Sequence, residues 1–169
     1  MVQGTPAFPA HRLSGLIAVL AGVAQGWALA WPWGVTSADW MAAGRMWTVL
    51  WPHSGHPWPL LQTVSMAVWL FWLRRSRDVR SAVISSWLFA GSALVATFWW
   101  LFISMHTYGG LPAPLAGVAV CALGAVLALY AVIASVIYWL LTLSLKWLDA
   151  MFFASLWCLA ELARGVWFT

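Results

Sequence analysis

Five apolar runs take up most of this chain, and four of them have the length, about 20 residues, that crosses a lipid bilayer. They are Leu13 to about Trp31, Trp58 to Leu73, Ser81 to Met105, Leu111 to about Leu143 and Ala150 to Phe168, the second being short. A soluble domain typically carries about 25% charged residues. Here 7% are charged and 64% are hydrophobic. Eight basic and four acidic side chains cannot cover a water-facing surface on 169 residues. Lipid as solvent removes that problem, and helices satisfy the backbone inside it. The sequence therefore reads as all-α, a polytopic membrane bundle of about five transmembrane helices. It forms one domain over 1–169, with no soluble domain, repeat or low-complexity linker.

The net charge of +4 is informative through its placement. Arg74, Arg75, Arg77 and Arg80 fall together in the short link between the second and third runs. The positive-inside rule assigns such a link to the cytoplasm, which accounts for the basic balance without nucleic acid. His11, Arg12 and Lys146 then fall on the same side. The N-terminus is expected inside and the C-terminus outside, with Arg45 as the exception. Met1 to Ala10 carries no charge, and no small-residue cleavage site follows, so the first run is expected to be a retained helix. The fourth run exceeds one bilayer crossing and is expected to tilt. Its Gly117 and Gly124 allow a neighbouring helix to approach closely.

The outer segment 33–57 is rich in Trp, which favours the headgroup zone. Trp40, Trp47 and Trp51 share one helical face, after Asp39 and before Pro52. The segment reads either as a short helix lying in the interface or as a plain Trp-rich loop.

Few residues offer chemistry. Glu161 and Arg164 lie three apart within the last run and can pair on one face. Charges in a spanning helix often mark a site, and the competing reading is a structural ion pair. His106 ends the third run; it reads as an interface histidine or as a ligand to a haem-type pigment. His53 and His56 form a bare HxxH in a Pro/Gly loop, a weak metal signal. No metal and no cofactor is expected. Cys121 and Cys158 lie within apolar runs and read as small core residues. Gly109-Gly110-Leu111-Pro112-Ala113-Pro114 frees the backbone and then sets the start of the fourth helix.

The stretch Phe98 to Pro114, FWWLFISMHTYGGLPAP, carries Trp100, Phe102, Ser104, Tyr108, Gly109, Gly110, Pro112 and Pro114. The stretch Ala154 to Thr169 carries Trp157, Glu161, Arg164, Gly165 and Thr169, with Leu129-Tyr130 between the two. In order and separation these motifs resemble those of the apolipoprotein N-acyltransferases. The resemblance covers about Leu60 to Thr169 well and the first helix loosely. Segment 33–57 departs from it, because the family joins its first two helices by a short turn.

The resemblance implies a bacterial inner-membrane enzyme that moves an acyl chain from phospholipid to the N-terminal Cys of a lipoprotein. It implies eight transmembrane helices and a periplasmic nitrilase-like domain whose Glu-Lys-Cys triad does the chemistry. No residue here maps onto that triad, and neither cysteine takes its role. The expectation is an N-terminal membrane piece, inactive alone, with no catalytic residue. Phospholipid and, through the full-length enzyme, lipoprotein are the expected partners. Trp100, His106, Tyr108, Gly109, Gly110, Pro112, Glu161 and Arg164 are expected to line a lipid entrance. The alternative is a non-catalytic accessory subunit of a larger membrane complex. A channel or transporter ranks below both, since only Glu161 and Arg164 offer a polar pathway.

Overall fold

The computed structural model describes residues 10–29, 57–141 and 146–168. Segment 33–57 apart from Pro57, and with it His53, His56 and Arg45, lies outside the described residues. The described chain forms α1 (Ala10–Leu29), α2 (Pro59–Leu73), α3 (Val79–Thr97), α4 (Trp99–Ile103), a single π turn (Ser104–Tyr108), α5 (Ala113–Leu140) and α6 (Lys146–Phe168). No strand occurs among the described residues. Val79–Thr97, Ala113–Leu140 and Trp147–Trp167 are long and apolar enough to cross a membrane. Leu13–Leu29 and Pro59–Leu73 are shorter apolar helices. With 28 residues, α5 spans about 42 Å, more than the roughly 30 Å of hydrocarbon in a bilayer.

Proline opens two of these helices where its missing N–H does no harm. Pro59 starts α2, and Pro112 caps α5 with Pro114 in its first turn. The Pro112 carbonyl accepts from the N–H groups of Leu115 (2.9 Å) and Ala116 (3.1 Å). The third apolar run, expected as one helix from Ser81 to Met105, breaks at Phe98, whose φ and ψ are −88° and 14°. Thr97 sits at the break and donates its hydroxyl to the Ala93 carbonyl at 2.8 Å. Such back-bonding competes with the backbone ladder and bends helices.

Small residues set the helix spacing. α1 and α3 run parallel and pack more extensively than any other pair. A Cβ on Gly22 would collide with Ser92 Oγ and the Phe89 carbonyl. One on Gly26 would lie 2.5 Å from the Ala93 carbonyl oxygen and 2.7 Å from Ala96 Cβ. Without hydrophobic drive inside lipid, close backbone approach is how helices gain contact. Ser92 adds a hydrogen bond across the seam, to the Val19 carbonyl at 3.2 Å. Gly124 of α5 does the same toward α3, 2.9 Å from Val95 Cγ2 for a notional Cβ, whereas Gly117 faces open space.

The centre of the bundle is aromatic. The fully buried Trp69 stacks on Phe89 with centroids 4.3 Å apart and an interplanar angle of 8°. Phe153 and Trp157 of α6 tilt against the same indole at 5.9 and 5.7 Å. Each such pair is worth about 0.5–1.5 kcal/mol beyond its area. These contacts draw α6 inward, although it packs chiefly on α5. Its other face, with Trp147, Met151, Leu162 and Val166, is exposed, as suits a surface toward lipid. The cysteines correct the sequence reading. Cys121 and Cys158 are both free and both on exposed helix faces, so neither is a core residue. In lipid an apolar position and a buried position are different things, because the solvent itself is apolar.

Candidate functional site: a polar cavity within the bundle

Because successive helices reverse direction, the described chain has two ends of distinct chemistry. At one, Trp58 N–H donates to the Ala28 carbonyl at 2.7 Å, joining the start of α2 to the finish of α1. A cavity of about 410 Å³ opens in this half of the bundle, with walls from α1, α2, α3, α5 and α6. Its apolar side includes Phe89, Leu94, Leu127 and Trp157. Its polar side consists of Gln25, Gln62, Thr97, Tyr130, Glu161 and Arg164. Polar side chains gathered from five helices of a membrane bundle mark a site by default, since each is costly to place there singly.

Glu161 and Arg164 form the charged part of this wall. Arg164 donates both Nε (3.1 Å) and Nη2 to the same oxygen, Glu161 Oε2. The i, i+3 spacing on α6 brings the two together. Neither charge is fully covered: the side chains are 44% exposed for Glu161 and 29% for Arg164. One carboxylate oxygen and one guanidinium edge therefore remain available to a ligand. Gln25 is 7% exposed, and its Oε1 accepts a 2.5 Å hydrogen bond from the buried Ser65 hydroxyl. That bond fixes the amide at the cavity wall and leaves its NH₂ group without a partner among the described residues.

The Gly-Gly-Leu-Pro loop forms a second locus. The π turn ends when Gly109 N–H donates to Ser104 O at 3.0 Å and Leu111 N–H to Met105 O at 3.1 Å. Gly110 has φ of +67°, in the left-handed region that glycine adopts freely. A Cβ on Gly109 would lie 2.7 Å from the Met105 carbonyl oxygen, so both glycines are required by the turn. His106 Nδ1 lies 2.8 Å from the Leu111 carbonyl oxygen, and its ring lies 5.7 Å from Phe102. When Nδ1–H donates to that carbonyl, the histidine staples the loop to the turn before it. Trp100 (62% exposed) and Tyr108 (86% exposed) project from the same stretch, and Pro112 closes it. The cavity wall contains Glu161 and Arg164 and none of Trp100, His106, Tyr108, Gly109, Gly110 or Pro112. The sequence-predicted residues thus occupy two places, the cavity and the loop.

At the opposite end Asp149 is 1% exposed and lies at the start of α6. It accepts a 2.7 Å hydrogen bond from the Tyr138 hydroxyl of α5. Arg74, just past α2, pairs with the same carboxylate oxygen at 3.0 Å. Three elements are tied at one carboxylate.

Sequence reasoning missed Gln25, Gln62 and Thr97, which were visible only as lone polar residues in apolar helices. It also missed the Arg74–Asp149–Tyr138 anchor, whose members have no local spacing in common. No group of three or more His, Cys, Asp or Glu residues that could hold a metal occurs among the described residues.

The family model "Apolipoprotein N-acyltransferase N-terminal domain" matches residues 43–169. The apolipoprotein N-acyltransferase of Verminephrobacter eiseniae is 42% identical over 153 residues, 88% of this chain and 25% of that protein. The one from Pseudomonas putida is 37% identical over 113 residues, 66% of this chain and 22% of that protein. The chain thus spans about a quarter of the length of these relatives. No solved structure matches it.

Proposed function

We propose, from the premise that this chain belongs to the apolipoprotein N-acyltransferase family, that it forms the N-terminal membrane part of such an enzyme. In the whole protein an acyl chain passes from phospholipid to the N-terminal Cys of a lipoprotein at the bacterial inner membrane. The observation that carries this reading is the family match over 43–169, which takes in both the Trp100–Pro114 stretch and the Glu161–Arg164 pair. The basic link Arg74–Arg80 places the anchor end in the cytoplasm by the positive-inside rule. The cavity end and the Gly109–Gly110 loop then face the periplasm, where a lipid would approach a catalytic domain.

On this reading the helices position lipid and do not perform the chemistry. Neither cysteine of this chain is assigned the acyl-carrying thiol, because neither maps onto the family's triad and neither lines the cavity. The loop glycines hold an exposed aromatic, Tyr108, at the level where headgroups lie. Glu161 and Arg164 hold charge where a headgroup enters the bundle. The test uses the full-length enzyme carrying these residues. Glu161→Ala and Gly110→Leu are each expected to reduce acyl transfer to a diacylated lipopeptide, with membrane expression maintained. Unchanged activity in both variants refutes the assignment.

A further inference from the structure

We propose that an ordered water molecule is held inside the bundle between α2 and α3, accepting from Trp69 Nε1–H and donating to the hydroxyls of Ser85 and Ser86. The inference rests on buried polar atoms outside the cavity wall and is independent of acyl transfer.

The first part of the case is what these atoms lack. Trp69 and Ser86 are fully buried, and Ser85 is 7% exposed. Trp69 Nε1, Ser85 Oγ and Ser86 Oγ have no hydrogen-bond partner among the described residues. Other hydroxyls in these helices avoid that state by turning back on their own backbone. Thr63, Thr97, Ser135 and Ser155 each donate to the carbonyl four residues earlier, at 2.6–2.9 Å. Ser85 and Ser86 do not. A buried polar group without a partner is costly, and three in one layer call for a shared one.

The second part is where they lie. Ala82 and Phe89 sit one turn to either side of the two serines, and both belong to one buried cluster with Trp69. The Trp69 indole stacks on Phe89 and tilts against Phe153 and Trp157. Phe89 and Trp157 also line the cavity, so this layer lies beneath the cavity's aromatic floor. On its other side Phe153 packs on Tyr138, which bonds Asp149. The water site thus falls between the cavity and the Arg74–Asp149–Tyr138 anchor.

Chemistry selects the occupant. An indole N–H only donates, whereas a serine hydroxyl donates and accepts. A metal cation or an ammonium cannot accept from the indole. An anion could accept from all three groups, but the surrounding cluster carries no charge to balance it. Water both accepts and donates, and about three partners is its usual number in a protein interior.

The experiment is hydroxyl-radical footprinting by X-ray radiolysis of the protein as its gene encodes it, in nanodiscs, with oxidation read by peptide mass spectrometry. Radicals form from bound water in place, so a buried side chain beside a water is oxidised while its dry neighbours are not. Trp69 is expected to be oxidised. Phe153, packed on the same indole, is expected to be protected once intrinsic reactivity is allowed for. Ser85→Ala/Ser86→Ala removes both acceptors with little change of volume, so loss of Trp69 oxidation is expected. Protection of Trp69 in the wild type, or unchanged oxidation in the serine variant, overturns the proposal. Unfolding of Ser86→Ala by SDS titration gives an independent reading. A hydroxyl bridged by water is worth a net hydrogen bond, so the folding constant is expected to fall about fivefold. An unchanged or raised constant, as removal of an unpaired buried hydroxyl gives, overturns the site. Should the double variant fail to accumulate, the wild-type footprint and Ser86→Ala still decide.

Discussion

Replacing Asp149 tests whether the anchor it forms with Arg74 and Tyr138 holds α6 in place. The carboxylate is 1% exposed and receives the Tyr138 hydroxyl at 2.7 Å and the Arg74 guanidinium at 3.0 Å. Asp149→Ala removes a hydrogen bond to a charged acceptor, about 1.5–3 kcal/mol. Arg74 is 43% exposed and can turn to water, so its loss adds only about 0–1 kcal/mol. The expected cost is roughly 2–4 kcal/mol. Asp149→Asn keeps the shape and a neutral bond to Tyr138, so about 1–2 kcal/mol is expected. Arg74→Gln does the reverse, taking the guanidinium away from a buried carboxylate, and is expected to cost about 3 kcal/mol. The double variant Arg74→Gln/Asp149→Asn removes both charges. It should be less destabilised than the sum of the singles by about 1–2 kcal/mol. The assay is reversible unfolding in mixed micelles by SDS titration, followed by circular dichroism. Additivity within about 0.5 kcal/mol would refute the coupling. Single variants all within about 0.5 kcal/mol of wild type would show that no anchor exists.

Two further outcomes follow from the backbone. Gly26→Leu drives a side chain into the Ala93 carbonyl and Ala96; about 1–3 kcal/mol of destabilisation is expected in the same titration, and Gly117→Leu, facing open space, is the control that should cost little. At Gly110, φ of +67° predicts a cost of roughly 1–2 kcal/mol for Leu and less for Asn, whose side chain tolerates the left-handed region. Equal effects of the two residues would mean that the turn is not what glycine serves there.

What the sequence made legible followed from local pattern. Apolar length marked the helices, because lipid imposes a span on any chain that crosses it. Residues 161 and 164 were legible as a pair because three residues is one turn of a helix. Breaks were harder. Phe98 interrupts a run with no proline or glycine at the break, and the Thr97 hydroxyl turned onto the Ala93 carbonyl beside it is a rotamer choice that the sequence does not announce. Burial was hardest. Cys121 and Cys158 share the apolar character of Phe153 and Val120, yet the first two are exposed and the others are buried. In water, hydrophobicity and burial go together. In lipid they separate, and only the partner helices decide.

The same separation explains why the polar cavity could not be read from α6 alone. Glu161 and Arg164 on an isolated helix would be a surface ion pair, worth about 0.3–0.5 kcal/mol. What changes their meaning is the company supplied by four other helices. Gln25, Gln62, Thr97 and Tyr130 lie as far as 136 residues before Glu161 in sequence, and each is unremarkable where it stands. The anchor makes that convergence durable. Fixing Asp149 at one end of α6 leaves Trp157 to seat against Trp69 and Phe89, and one turn later Glu161 reaches the cavity wall. A charge cluster far from the cavity thus determines how closely α6 follows its neighbours. Loosening the anchor should therefore loosen α6 along its length while leaving the Glu161–Arg164 pair intact. Amide hydrogen exchange along α6 in Asp149→Asn measures this directly, and wild-type protection in that variant would show that α6 is held by its aromatic contacts alone.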